Sequence, residues 1–142
     1  MVARRSILAA LTAIAAIALS AEPLAAGAAQ PTIEIIALPH SPVQSALKPV
    51  RDFLVTLGAR VKIVELDAGS PAGEKRIGSV GLRGHVPILL LINGSDRFKR
   101  ADGTPVEFKD FPATANNPLG LNGSWSVADF ESAVNAALGA NR

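Results

Sequence analysis

The sequence predicts an α/β domain in which a mixed sheet of four to five strands is flanked by helices. Short runs of β-branched and apolar residues alternate with segments whose apolar residues recur at helical spacing. A strand, a helix and a second strand follow one another at the start, an order that requires a parallel pair joined by a right-handed crossover. An Asn-Gly pair after a later apolar run predicts a hairpin with an antiparallel strand. The expected order is β-α-β-α-β-β-α.

The first half of this domain supplies the parallel pair and two helices. The run TIEIIAL at 32–38 predicts a strand buried on both faces, and RVKIVELDA at 60–68 predicts a second strand. Between them, apolar residues spaced by four, three, four and three positions form one face of a helix that Gly58 ends. Residues 70–78 predict a short helix, because Ser70 is a suitable cap and proline follows it at the first helical position.

The second half predicts the rest of the sheet and a closing helix. VPILLLING at 86–94 is the strongest buried-strand pattern in the chain, and 97–111 predicts two short strands around an Asp-Gly turn. The segment 112–123 is dense in Pro, Asn and Gly and predicts a loop. The last helix is expected to follow Ser126 as its cap, with the acidic residue Asp129 three positions later.

The first 29 residues predict a secretory signal peptide. Two arginines near the start precede an uninterrupted apolar run at 7–19, and small residues lead to an expected cleavage position near Ala28 or Ala29. The apolar run is short for a membrane span. We therefore expect an exported protein, periplasmic or secreted, whose domain comprises residues 30–142 and has no membrane segment after cleavage.

Composition excludes two classes of function. The chain has no cysteine, so it has no disulfide, no thiol chemistry and no thiolate ligand for a metal. Loss of residues 1–29 would take two arginines and one glutamate from the 14 basic and 12 acidic residues and leave a net charge of +1. Nucleic-acid binding favours a clustered basic face with interleaved aromatic residues. That pattern is not evident, so we expect no nucleic-acid partner.

The element order and two local motifs resemble the thioredoxin family. In SPVQSALKPVRDFL, Pro49 lies five residues after Gln44, as the helix-kinking proline of thioredoxins lies five residues after the second cysteine of their Cys-x-x-Cys pair. This alignment places Ser41 and Gln44 on the two cysteine positions. The segment GLRGHVPILLLING resembles the family's third-strand region, which implies a cis bond before Pro87 in a loop that faces the start of the first helix. The resemblance covers residues 32–94 best.

Disulfide exchange is excluded even so, because it needs one thiolate to attack and a second thiol to resolve the mixed disulfide. A helix start presents unpaired N–H groups and the positive end of a dipole, which favour anions. The resemblance thus implies a non-redox binding module, without catalytic residues or a cofactor, that holds an extended peptide or a small anionic ligand. The candidate ligand-binding residues are His40, Ser41, Gln44, His85, Val86 and Pro87.

Two other interpretations of the first helix start remain open. A structural one makes Ser41 the cap, Pro42 the first helical residue and Gln44 the residue that reaches back, which is a capping box without any ligand. The same stretch and VPILLLING also resemble the N-terminal domain of glutathione transferases. That resemblance implies an enzyme in which Ser41 stabilises the glutathione thiolate and the Val86-Pro87 pair grips the glutathione backbone.

A third interpretation is a scaffold in which the segment 95–124, longer than the minimal fold needs, docks a partner protein. His40 and His85, the two histidines of the chain, are expected at the same rim of the domain. We expect no metal site there, because no Asp, Glu or Cys has an evident place as a third ligand. The basic residues of the 97–111 hairpin are expected to guard an edge strand against aggregation.

Overall fold

The computed structural model describes residues 29–113 and 120–140. Three strands, β1 (Thr32–Ala37), β2 (Lys62–Asp67) and β3 (Ile88–Ile92), form a sheet in the order β2-β1-β3. β1 pairs with β2 in parallel and with β3 in the antiparallel sense. The predicted α/β class and the mixed character of the sheet are therefore confirmed.

The two remaining strands, β4 (Arg97–Lys99) and β5 (Pro105–Glu107), form a separate antiparallel hairpin. The expected single sheet of four to five strands is wrong in this respect. The Asn93-Gly94 turn does form, with φ values of 51° and 81°, but pairing beyond it stops at a bridge between Ile92 and Ser95. The reason is that the residues after the turn pair with the chain that follows Gly103 instead of with β3.

The chain returns to β3 directly after β5. The N–H of Leu90 donates to the carbonyl of Phe108 at 2.8 Å, and the N–H of Asp110 donates to the carbonyl of Ile88 at 2.8 Å. Residues 108–110 thus cover the outer edge of β3 without forming a continuous strand.

Three helices, α1 (Ser41–Leu57), α2 (Pro71–Ser79) and α3 (Val127–Ala140), complete the fold. α1 ends at Gly58, whose φ of 53° is favourable for glycine. Ser70 caps α2, because its Oγ accepts the N–H of Gly73 at 3.1 Å. At the start of α3, Ser126 Oγ accepts the N–H of Asp129 at 3.1 Å, and the Asp129 carboxylate accepts the N–H of Ser126 at 2.9 Å. These predicted caps are confirmed.

The start of α1 differs from the predicted capping box. His40 is the N-cap, Ser41 and Pro42 are the first two helical residues, and no side chain caps the helix. The Nε2 of Gln44 donates to the carbonyl of Leu38 at 2.8 Å. Proline is tolerated in either position because the first N–H groups of a helix have no intrahelical partner. The helix therefore begins one residue earlier than the capping-box pattern predicts.

α1 and α3 pack on one face of the sheet, and α2 packs on the other. The larger buried cluster joins α1 and α3 to alternate residues of β1 and β3, and it includes Phe108. The ring of Phe108 contacts Trp125 and Phe130 edge-on, with centroid distances of 6.0 and 5.6 Å. The cluster under α2 contains Ile36, Ala68, Ile77, Leu89 and Leu91. The expectation of helices on both faces is confirmed.

Bidentate ion pairs join the hairpin to α3 and α2 to β1. Arg100 donates from Nε and Nη2 to the two carboxylate oxygens of Asp129, each at 2.7 Å, and thereby joins the β4–β5 hairpin to α3. Arg76 donates in the same manner to Glu34, at 2.7 and 2.6 Å, and joins α2 to β1.

None of the helices in the described ranges combines the length and the apolar composition that a membrane crossing requires. Residues 1–28 lie outside those ranges, so the signal peptide and the boundary of the exported domain stay predictions.

Candidate functional site

The candidate ligand-binding residues lie at the end of the sheet where β1 ends and β3 begins. The N–H of Leu38 donates to the carbonyl of Pro87 at 3.0 Å, so the segment that leads into α1 runs beside the segment that leads into β3. His40 and Ser41 lie in the first of these segments, just after Leu38, and His85 lies in the second, just before Pro87. This is also the carboxyl end of the parallel β1–β2 pair, which is where open α/β sheets usually bind ligands.

The bond between Val86 and Pro87 is trans, so the expectation of a cis-proline is wrong. Trans is the default even before proline, where it is favoured by about 0.5–1 kcal/mol. Buried Pro87 pairs with Leu38 through its carbonyl, directly before β3 begins. The backbone N–H and C=O of half-buried Val86 make no hydrogen bond to any residue within 29–113 or 120–140.

A cleft of about 490 Å³ lies between α2 and the loop that leads to β3. Its volume is within the range of small-ligand sites. The apolar part of its lining consists of Leu38, Ala68, Ile77, Leu82 and Val86, and the charged or titratable part consists of Glu74, Arg83 and His85. Two of the predicted site residues, His85 and Val86, therefore line this cleft.

Gly73 determines how closely α2 approaches the end of β2. A Cβ atom at this position would lie 2.0 Å from the carbonyl oxygen of Asp67, far inside any allowed contact. Gly78, one turn further along α2, faces the cleft, and a Cβ atom there would meet nothing within 4 Å. The helix thus contacts the strand tightly at its start and leaves open space at its end.

Ser41 and Gln44 do not line this cleft. Gln44 borders a smaller cleft of about 300 Å³ with Pro39 and with the ion pair between Arg51 and Glu65. Ser41 and Gln44 also border a shallow depression of about 380 Å³ along the exposed side of α1. Neither His40 nor Pro87 lines any of these three clefts. The predicted residues therefore share one end of the sheet but do not form one pocket.

The polar groups of the smaller cleft already have partners within the fold. Arg51 donates to both carboxylate oxygens of Glu65, at 3.0 and 3.2 Å, and Gln44 donates to the carbonyl of Leu38. The carboxylate of Asp67 accepts the N–H of Gly69 at 2.8 Å. The smaller cleft thus offers a ligand fewer free groups than the larger one.

Asp110 is an acidic neighbour of His85 that the sequence did not reveal. Its backbone has a φ of 62°, and its N–H is bonded to the carbonyl of Ile88 at the start of β3. Burial raises the pKa of its carboxyl group, while the positive charges of Lys109 and His85 act in the opposite direction and Glu107 adds to the rise. The rim near His85 is therefore of mixed charge.

Within the described parts of the chain, no group of three or more His, Asp or Glu side chains is placed to hold a metal ion. The basic residues of the hairpin are largely paired with carboxylates. Arg100 binds Asp129, and Lys109 donates to Glu107 at 2.8 Å, which lowers the pKa of the Glu107 carboxyl. Arg97 lies 3.9 Å from the same carboxylate. Such pairing accords with the edge-guard interpretation of these residues.

Comparison of the chain with protein-family models, with curated proteins and with solved structures found no match. A function must therefore be inferred from the residues and geometry of this chain. The cleft residues that the sequence did not single out are Leu38, Ala68, Glu74, Ile77, Leu82 and Arg83, together with the glycines at 69, 78 and 84. A signal for two of them existed, since Leu38 and Ala68 directly follow the parallel strands β1 and β2, where ligand crevices form.

Proposed function

We propose that this chain is an exported, non-catalytic binding module of thioredoxin-like topology, and that it holds an extended peptide at the cleft beside α2. The order β2-β1-β3 with an antiparallel β3, and the pairing of residues 108–110 with the outer edge of β3, support the thioredoxin-like assignment. The predicted signal peptide supports export.

The observation that carries the proposal is that the backbone of Val86, at the wall of the larger cleft, makes no hydrogen bond to any residue that the structure describes. Exposed N–H and C=O groups in an extended segment bind a peptide by adding it as a further strand. Among the described residues, the backbone of His85 and Val86 makes no backbone hydrogen bond. Gly84, with a φ of 83°, bends the chain just before them, so the stretch open to such pairing is these two residues.

The lining of the cleft specifies the kind of peptide. Successive side chains of an extended peptide point in opposite directions, so one side chain enters the cleft while its neighbours face away. Leu38, Ile77 and Leu82 favour an apolar side chain in the cleft. Exposed Arg83 at one part of the wall favours an acidic group on the ligand there, while Glu74 disfavours one at the α2 side. A small anionic ligand with an apolar body is the alternative that this lining also admits.

A displayed library of short random peptides tests the proposal, with variants that fill the cleft. Gly78→Phe places a ring in the open space beside α2, and we expect it to abolish selection of the peptides that the wild type enriches. Gly78→Ala adds one methyl group and should keep the selection. Gly139→Phe makes the same change at an exposed α3 position that also has nothing within 4 Å, and it should have no effect.

Enrichment of no peptide by the wild type would overturn the proposal. So would equal enrichment by wild type and Gly78→Phe, because the selected peptides would then bind elsewhere. Direct binding of a small carboxylate or phosphate by the wild type, and not by Gly78→Phe, without any selected peptide would support the anionic-ligand alternative.

The two remaining interpretations predict different results. An enzyme of glutathione-transferase type predicts retention on glutathione resin and loss of retention in Ser41→Ala. The separate clefts of Ser41 and Val86 make this the less favoured candidate, since one glutathione molecule would have to contact both. A scaffold predicts that only deletions within 112–123, which include the undescribed residues 114–119, release a bound partner protein.

A further inference from the structure

The tripeptide Asn-Gly-Ser occurs twice, at 93–95 and at 122–124. An asparagine that precedes glycine is the one most prone to lose its side-chain amide, because glycine has no Cβ to hinder attack by its own backbone nitrogen. Since both copies have the same local sequence, any difference in their reactivity must come from the fold.

The first copy forms the two-residue turn after β3. All three of its residues are exposed, and the N–H of Gly94 has no hydrogen-bond acceptor among the residues that the structure describes. The side-chain oxygen of Asn93 accepts the N–H of Thr32 at 2.9 Å, and the N–H of Asn93 donates to the carbonyl of Thr32 at 2.8 Å. A single side-chain hydrogen bond therefore holds the Asn93 amide away from a free attacking nitrogen.

The second copy is held by its backbone. The N–H of Gly123 donates to the carbonyl of Phe111 at 2.7 Å, so the nitrogen that would attack Asn122 is already engaged. A Cβ atom at Gly123 would lie 2.3 Å from the carbonyl of Lys109, which shows how closely this segment packs against the chain after β5. Attack at this copy requires the segment to separate from residues 109–111.

We propose that Asn93 is a site of spontaneous deamidation in the folded protein and that the fold protects Asn122. The backbone nitrogen of Gly94 loses its proton and attacks Cγ of Asn93. A bond forms between that nitrogen and Cγ, the bond from Cγ to Nδ2 breaks, and the amide nitrogen leaves as ammonia with the proton restored. Water then opens the resulting succinimide at either carbonyl, which gives aspartate or isoaspartate.

The two products differ in their effect on the fold. Aspartate keeps an oxygen that accepts the N–H of Thr32, so the turn and the start of β1 stay in place. Isoaspartate adds one carbon to the main chain of a two-residue turn whose φ values of 51° and 81° define its shape. That product must displace Asn93 from its two hydrogen bonds with Thr32. Only the isoaspartate form therefore loosens the junction of β1 and β3.

Peptide mapping by mass spectrometry, after incubation of the folded chain at mildly alkaline pH, tests the proposal. We expect Asn93 to convert about tenfold faster than Asn122, which is the ratio that one additional backbone hydrogen bond supplies. In concentrated urea, the two sites should convert at similar rates. Asn93→Asp should abolish the fast conversion and leave the slow one, which assigns the reaction to residue 93.

Three results would overturn the proposal. One is equal or faster conversion of Asn122 in the folded chain. Another is a rate difference that persists unchanged in urea, because its origin would then be the flanking sequence. The last is conversion at neither site over a time in which the unfolded chain reacts completely.

Discussion

The ion pair between Arg100 and Asp129 predicts a loss of stability in acid that one substitution can isolate. Arg100 donates two hydrogen bonds of 2.7 Å to this carboxylate, and Ser126 donates its backbone N–H and its hydroxyl to the same group, each at 2.9 Å. The Asp129 side chain is only 10% exposed. The hydrogen bonds from Arg100, and then those from Ser126, outweigh burial and lower the pKa of Asp129 from 3.8 to about 2.

The magnitude follows from that difference in pKa. A carboxyl group with a lower pKa in the folded state stabilises the fold at pH values above its unfolded pKa, and this contribution disappears as the pH falls through the folded pKa. The fall from 3.8 to about 2 corresponds to about 2 kcal/mol at neutral pH. We therefore expect Asp129→Asn to lower the free energy of unfolding by about 2 kcal/mol at neutral pH, with the deficit shrinking between about pH 4 and about pH 2.

Urea unfolding at a series of pH values measures this effect through the fluorescence of Trp125, the one tryptophan of the chain, whose side chain is fully buried. Asp52→Asn is the matched control, because its partner Lys48 and Asp52 itself are mostly exposed. It should change the free energy of unfolding by less than about 0.5 kcal/mol. In an Arg100→Met background, Asp129→Asn should cost clearly less than in the wild type.

A deficit for Asp129→Asn that stays constant from neutral pH to the lowest pH at which the wild type still folds would refute this reasoning. The loss would then come from packing or from the helix cap, and not from the ionised carboxylate. An undiminished deficit in the Arg100→Met background would refute the assignment of Arg100 as the principal partner.

Three further predictions concern packing around the same fold. Gly73→Ala should lower the free energy of unfolding by roughly 2–3 kcal/mol, because the added methyl group meets the carbonyl oxygen of Asp67. Gly78→Ala in the same helix should raise it by about 0.5 kcal/mol. Thermal unfolding of the two variants measures both effects, and similar shifts would contradict the close contact at Gly73. Glu34→Gln, which breaks the ion pair with Arg76, should lower the urea midpoint by the equivalent of about 1 kcal/mol. Glu65→Gln, in the more exposed pair with Arg51, should lower it by less than half of that. Equal effects would show that burial does not distinguish the two ion pairs. Trp125→Phe should lower the thermal midpoint by the equivalent of about 2 kcal/mol, since the carbonyls of Lys109 and Asp110 lose the indole N–H that donates to them and the core loses volume. Circular dichroism measures this, and an unchanged midpoint would contradict the packing described for the larger core cluster.

Local signals made most of the fold predictable from the sequence. The caps at Ser70 and Ser126 depend on residues three positions apart, and the spacing of apolar residues in α1 is visible without any tertiary information. The Asn93-Gly94 turn is likewise a property of two adjacent residues. These features are encoded within one or two turns of chain, which is why pattern and propensity identify them.

Features that depend on distant pairing were not predictable in this way. The short strands at 97–99 and 105–107 have the same composition whether they extend the main sheet or pair with each other, and only the path of the chain decides. Ile63 belongs to an alternating strand pattern but is 43% exposed, because β2 lies at the edge of the sheet. The isomer of the bond before Pro87 was inferred by resemblance, and the resemblance was wrong on this point.

The candidate site was predictable in part for the same reason. The sequence singled out His85 and Val86, which line the larger cleft, but it also included Ser41 and Gln44, which border a separate depression along α1. The cleft is bordered by α2, which approaches the end of β2 so closely at Gly73 that a Cβ atom there would lie 2.0 Å from the carbonyl oxygen of Asp67. No periodicity along the chain reports such a contact.

The unequal covering of the two sheet faces has a consequence for motion. α2 is a helix of nine residues held by one ion pair and by a buried cluster of five side chains, one of which is its own Ile77, whereas α1 and α3 share the aromatic cluster on the opposite face. Amide hydrogens of α2 should therefore exchange with deuterated solvent through local opening, while those of β1 and β3 exchange only when the whole domain unfolds. Because α2 is one wall of the larger cleft, its opening would release a bound molecule without melting the domain, and an occupant would in turn slow the exchange of α2.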